Sequence, residues 1–133
     1  MSESSFRAVL LLFGIYQIAQ ALWMIVSPGS FFDAVAGFGV QNDHYIRDNA
    51  TFSLAIGVGL LLAAGRPSWR FPVLLVTAVW FGAHAVNHLV DIGEAEPEWV
   101  GPVDFVVLLA VALVLAYLTV VAARADLDAA DRR

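Results

Sequence analysis

The chain has 133 residues, enough for one compact domain, of which 60% are apolar and only 14% charged, with a mean hydropathy of +0.77. A soluble domain carries about a quarter charged residues, so the apolar surplus needs lipid to face, which excludes a water-soluble enzyme and a disordered chain. The formal net charge of −5 argues against a nucleic-acid surface, and the lack of cysteine excludes disulfides, thiolate metal sites and iron–sulfur clusters.

A hydrocarbon core of about 30 Å takes roughly 20 helical residues, and four segments meet that length: 6–26, 44–64, 71–90 and 103–123. The expected fold is therefore all-α, a single integral membrane four-helix bundle spanning 1–133. Beyond Arg7 at its start, the first span, Phe6 to Val26, is interrupted only by Tyr16, Gln17 and Gln20. It is longer than a signal-peptide core of about 7–15 residues, and Ser27-Pro28 is a poor cleavage site, so it reads as a retained helix. Next, Ser30-Phe31-Phe32-Asp33 reads as a capping box, and Phe31, Phe32 and Val35 form an apolar face before Gly37. These features predict a short helix lying in the membrane interface.

Ala50 to Ala64 alone is too short for the second span, which must reach back through Asp48 and Arg47 to His44. Its first turns then need to face protein. Gly65-Arg66-Pro67-Ser68 reads as a tight turn, and Pro72 fits the first turn of the third span, so the second and third spans are expected to be antiparallel neighbours. The third span is apolar until His84, Asn87 and His88. An acidic connection from Gly93 to Pro102 carries Trp99 as an interface anchor, the fourth span is the most uniform, and 124–133 reads as a polar cytoplasmic tail.

All seven basic residues are arginines, and Arg7, Arg66, Arg70, Arg124, Arg132 and Arg133 fall on one side of these spans, with only Arg47 on the other. The positive-inside rule then makes both termini cytoplasmic. The opposite side holds eight acids, Asp33, Asp43, Asp48, Asp91, Glu94, Glu96, Glu98 and Asp104, and should attract cations. A loose internal repeat runs through the same segments. Phe6-Arg7 leads to Tyr16 and Gln20 as Trp69-Arg70 leads to Trp80 and His84, and each returning helix has an early aspartate, Asp48 or Asp104. Two helical hairpins in parallel repetition produce this pattern, as do shared membrane constraints.

Most polar side chains within the spans belong to the half facing the acidic side. At about 100° per residue, His84, His88 and Asp91 share one face of the third helix, bordered by Asn87, with Thr77 and Trp80 below. His44, Arg47, Asp48 and Thr51 share a face of the second, which sets His44 level with Asp91 and Asp48 level with His88. Several of these have plainer uses. Asp104, two residues after Pro102, suits a helix N-terminus. Asp48 suits a helix dipole or a pairing with Arg47, and Gln17 and Gln20 suit interhelical hydrogen bonding. Ala55-x3-Gly59 and Ala78-x3-Gly82 suit close approach of the second and third helices, or of two copies of the chain. His84 is the costliest to leave unsatisfied and the strongest candidate for a functional role.

Three chemistries fit such a set. His84, His88 and Asp91 have spacing suited to a divalent metal, with Asp48 or His44 as another ligand. His84, His88, Asp48, Asn87, Gln20 and Trp80, flanked by Phe81 and Phe52, could hold a small polar or quinone-like ligand. His84, His88 and Asp48 could relay protons. Haem is disfavoured, because two histidines one turn apart on one helix cannot bind opposite faces of an iron. No nucleophile elbow, phosphate loop or catalytic acidic pair is present to name a reaction.

Trp23…Ser27-Pro28…Phe31 after the first span, Arg47-Asp48 opening the second and Arg66-Pro67-x2-Arg70-x-Pro72 before the third resemble the small uncharacterised bacterial four-helix membrane proteins of the DoxX-like group. The likeness implies that fold and an inner-membrane location. It also implies kinship with subunits of quinone-linked oxidoreductases, but carries no role onto His84 to Asp91. The expectation is a multi-pass inner-membrane protein whose extracytoplasmic polar pocket binds a small ligand or cation. The alternative is an accessory subunit, its polar residues locking helices to each other, to a second copy or to a partner in a membrane complex. The bilayer is the one partner the composition requires, and nucleic acid is excluded.

Overall fold

A computed structural model describes residues 2–35 and 37–131. Helix α1 runs Glu3–Val26, the short α2 Pro28–Ala34 and α3 Asp43–Gly65. A 3-10 turn at Pro67–Trp69 leads into α4, Arg70–Val90, and α5 covers Val100–Ala130. The four long helices are each long and apolar enough to cross a membrane. No strand occurs among the described residues, only an isolated bridge between Phe38 and Ala95. Arg132 and Arg133, counted above among the basic residues of one side, lie outside the described residues.

Local chemistry sets the helix starts. Ser2 accepts from the Ser5 amide at 3.1 Å to cap α1, and Asn42 Oδ1 accepts from the His44 and Tyr45 amides at 3.1 and 3.2 Å to cap α3. Each satisfies donors that a helix N-terminus leaves orphaned. Asn42→Ala is expected to cost about 1 kcal/mol, measured as a shift in the unfolding midpoint of the purified chain. The capping box expected at Ser30 does not form. Because α2 already begins at Pro28, Ser30 lies inside it, donating from Oγ to the Ser27 carbonyl and accepting from Trp23 Nε1 at 2.8 Å. At its other limit, α5 continues to Ala130 through most of the segment read as a polar tail.

The long helices pair as two hairpins, α1 with α3 and α4 with α5, and the α3–α4 seam is much slighter. The short turn at 65–69 keeps α3 and α4 adjacent, as expected above, but each packs more extensively on another helix. Between helices whose outward faces are as apolar as their inward ones, close approach decides which pair packs tightest. Gly14 and Gly57 provide it: a Cβ on Gly57 would stand 2.9 Å from the Gly14 carbonyl oxygen and 2.7 Å from Ile18. Within the chain, the glycines of the small-residue pairs singled out in the sequence do not bring α3 and α4 as close. A Cβ at Gly59 would make ordinary contact with Val73, and one at Gly82 would meet nothing within 4 Å.

Buried residues from all four long helices, among them Leu10, Leu60, Leu74 and Leu118, form the core. Ala21, Met24, Phe31 and Ala50 form a second cluster under α2. The outward faces are apolar too: Leu12 is 70% exposed, Val76 65% and Leu113 63%. At one end, Arg70 forms a two-pronged pair with Glu3, one prong at 2.8 Å, and lies 5.0 Å over the Phe6 ring. At the other end the Glu96 amide donates to the Gly37 carbonyl at 2.8 Å. The starts of α1 and α4 are thus tied at the arginine-rich end, and the two hairpin loops at the acidic end.

Candidate functional site

A cleft of about 860 Å³ opens between the two hairpins toward the acidic end. Its wall draws on α1, α2, α3, α4, α5 and the loop residue Phe38. The helical phase of α4 turns His84 and His88 to one side, one turn apart, and their Nε2 atoms meet at 3.0 Å. His88 also approaches α5: its Nδ1 stands 4.0 Å from Asp104 Oδ2, and these side chains are only 14% and 23% exposed. That separation exceeds a direct hydrogen bond, and His88 Nδ1 is buried with no hydrogen-bond partner. Aromatic edges fix both rings. Trp80 sits edge-on to His84 at 4.8 Å and Phe38 edge-on to His88 at 4.7 Å, centroid to centroid.

With a proton on His88 Nδ1, toward Asp104, the His88 Nε2 lone pair would accept from His84 Nε2–H; the other tautomer reverses that bond. The order Asp104, His88, His84 is a line of polar groups running from α5 into the bundle. It can orient a hydrogen-bonding ligand, or pass a proton along its length.

All six residues expected to hold a ligand, His84, His88, Asp48, Asn87, Gln20 and Trp80, line this one cleft, as do Phe52 and Phe81. So do six of the ten positions matched in the loose repeat, Tyr16 with Trp80, Gln20 with His84 and Asp48 with Asp104, while Phe6, Arg7, Trp69 and Arg70 do not. The hairpin pairing brings equivalent halves of the two outward-running helices to a common space. Other expected residues are elsewhere. His44 is not on the wall; its side chain is 85% exposed and pairs with Asp48 at 3.4 Å. Arg47 pairs with Asp43 at 3.7 Å rather than with Asp48, since residues four apart share a helix face while adjacent ones diverge by about 100°. Gln17 is fully buried outside the cleft, and neither of its amide atoms has a hydrogen-bond partner, so the interhelical bond expected of it is not made.

The metal set of His84, His88 and Asp91 is not assembled as expected. Among the described residues no three His, Asp or Glu side chains gather closely enough to hold an ion. Asp91 is the C-cap residue of α4, its amide still bonded to the Asn87 carbonyl, and it lines the cleft with the histidines without closing a three-ligand set. The two Nε2 atoms alone stand near the roughly 3.3 Å that two nitrogens span across a tetrahedral zinc with about 2.0 Å bonds.

Asp104 is the residue whose part the sequence reading undervalued. Counting from Pro102 makes it an N-terminal carboxylate, but α5 starts at Val100, so Asp104 lies beyond the first turn and faces His88. Its recurrence opposite Asp48 in the repeat is the signal that points to the cleft. Phe38 and Tyr45, also on the wall, carry no periodic signal at all.

Comparison with protein-family models, with curated proteins and with solved structures gives no match. The functional reading therefore rests on the site itself.

Proposed function

We propose that the chain is a multi-pass inner-membrane protein of the DoxX-like type, with both termini cytoplasmic and α2 in the membrane interface. In this reading the cleft, in the extracytoplasmic half of the bundle, binds a small ligand or a cation. One observation carries it: two imidazoles, three carboxylates and two amide side chains with a third from α1 converge on a single space of about 860 Å³, a volume in the range of small-molecule sites. Polar groups at such depth are costly to maintain, and a role in binding accounts for keeping them. The orientation is supported by the arginines of the Glu3–Arg70 end and the acids of the other.

Changing both His84 and His88 to leucine tests the reading. The expected result is an intact, folded protein, by size-exclusion chromatography and circular dichroism, that loses a small molecule or metal detected by native mass spectrometry and elemental analysis of the gently extracted chain. Disassembly of the variant, with no ligand found on the unmodified chain, would instead make the polar residues structural glue of an accessory subunit.

A further inference from the structure

The cleft has an apolar neighbour. A second, almost wholly apolar groove of about 450 Å³ runs between α1 and α5, lined by Val9, Leu12, Val114 and Leu118 among others. Phe13, Tyr16 and Val111 belong to both walls, so the two spaces adjoin across these three side chains. The groove follows the outward apolar faces of two helices long enough to cross a membrane. A molecule with its head in the cleft would therefore have a lipid-like path for a hydrocarbon tail.

The head can be characterised from charge. Asp48, Asp91 and Asp104 line the cleft, and among the described residues no lysine or arginine does. An anionic head would meet three carboxylates without a lysine or arginine to offset them, whereas a cation would meet them with favourable Coulomb energy. Ring faces or edges from Tyr16, Phe31, Phe38, Tyr45, Phe52 and Trp80 complete the wall. Such rings stabilise an organic ammonium through their quadrupoles and do little for a compact, strongly hydrated metal ion.

Resting on the proposed binding role of the cleft, we propose that its ligand is an amphiphilic organic cation, the ammonium head among Asp48, Asp104 and the aromatic wall and the hydrocarbon tail in the α1–α5 groove. The test uses the full chain in lipid nanodiscs and three probes: dodecyltrimethylammonium, tetramethylammonium and dodecyl sulfate. Binding is read as tryptophan quenching above that of discs with lipid-partitioned probe alone, since Trp80 lies on the wall.

Dodecyltrimethylammonium is expected to bind saturably, tetramethylammonium about 100-fold more weakly for want of a tail, and dodecyl sulfate not to compete. Asp48→Asn with Asp104→Asn is expected to weaken binding about tenfold or more, each tenfold being about 1.4 kcal/mol. Val114→Trp, which fills the groove and leaves the cleft untouched, is expected to weaken the long-tailed cation alone. Competition by dodecyl sulfate as strong as that of the cation would overturn the inference and leave the binding role of the cleft standing, as would equal binding of the tail-less cation. Failure of all three probes to bind saturably to a folded chain, together with no ligand or metal on the extracted protein, would sink both.

Discussion

Gly57→Val is expected to destabilise the folded chain by about 3 kcal/mol, near the upper end of what an overpacked core costs. A Cβ there would lie 2.9 Å from the Gly14 carbonyl and 2.7 Å from the Ile18 side chain. The first of these is backbone and cannot rotate aside, so α1 must move bodily from α3, and the α1–α3 pair is one of the two tightest in the molecule. Titration of the detergent-solubilised protein with sodium dodecyl sulfate, followed by far-ultraviolet circular dichroism, measures the change. Gly82→Ala is the matched control. With no atom within 4 Å of its Cβ, it is expected to be neutral or to stabilise by up to about 1 kcal/mol through helix propensity. Equal effects of the two substitutions would show that the glycine seam does not join α1 to α3.

Gln17→Met is expected to stabilise the protein by about 2 kcal/mol. Gln17 is 0% exposed, and its Oε1 and Nε2 make no hydrogen bond. A buried amide with neither a donor nor an acceptor partner carries its full desolvation cost, which an apolar side chain of similar length does not. The same titration reads the gain. Because Gln17 is not on the wall of the cleft, ligand retention by native mass spectrometry is expected to be unchanged. A loss of stability on substitution would mean that the amide has a partner, and would refute its assignment as an orphan.

The contrast between these two residues shows what was legible. Gly14 and Gly57 stand one on each of two helices, with nothing in either segment to mark the contact. The sequence offered Ala55-x3-Gly59 and Ala78-x3-Gly82 with equal plausibility. Small residues permit close approach on any face, and only the relative rotation of two helices decides which pair meets. Gln17 and Gln20 were likewise indistinguishable as polar interruptions of one span; three residues of helical phase put one into the α1 core and the other onto the cleft. The clustering of His84, His88, Asn87 and Asp48 was legible because polar residues inside apolar spans are costly and therefore few, and because helical spacing fixes the face of each. The part played by Asp104 was not, because a proline two residues before it fits equally well at the start of the helix or within its first turn.

By itself the sequence determined the all-helical class and four segments with the length and apolarity to cross a membrane, since the backbone must satisfy its hydrogen bonds within each segment wherever water is absent. It also determined which end of each helix carries polar groups. Tertiary structure decided how the four helices pair, that His88 stands beside Asp104 on α5, and that an apolar groove adjoins the polar cleft. The physical reason is that periodicity specifies a direction about one helix axis, whereas a site shared by several helices depends on how those axes pack. In this chain the α1–α3 packing is set by the contact of Gly14 with Gly57.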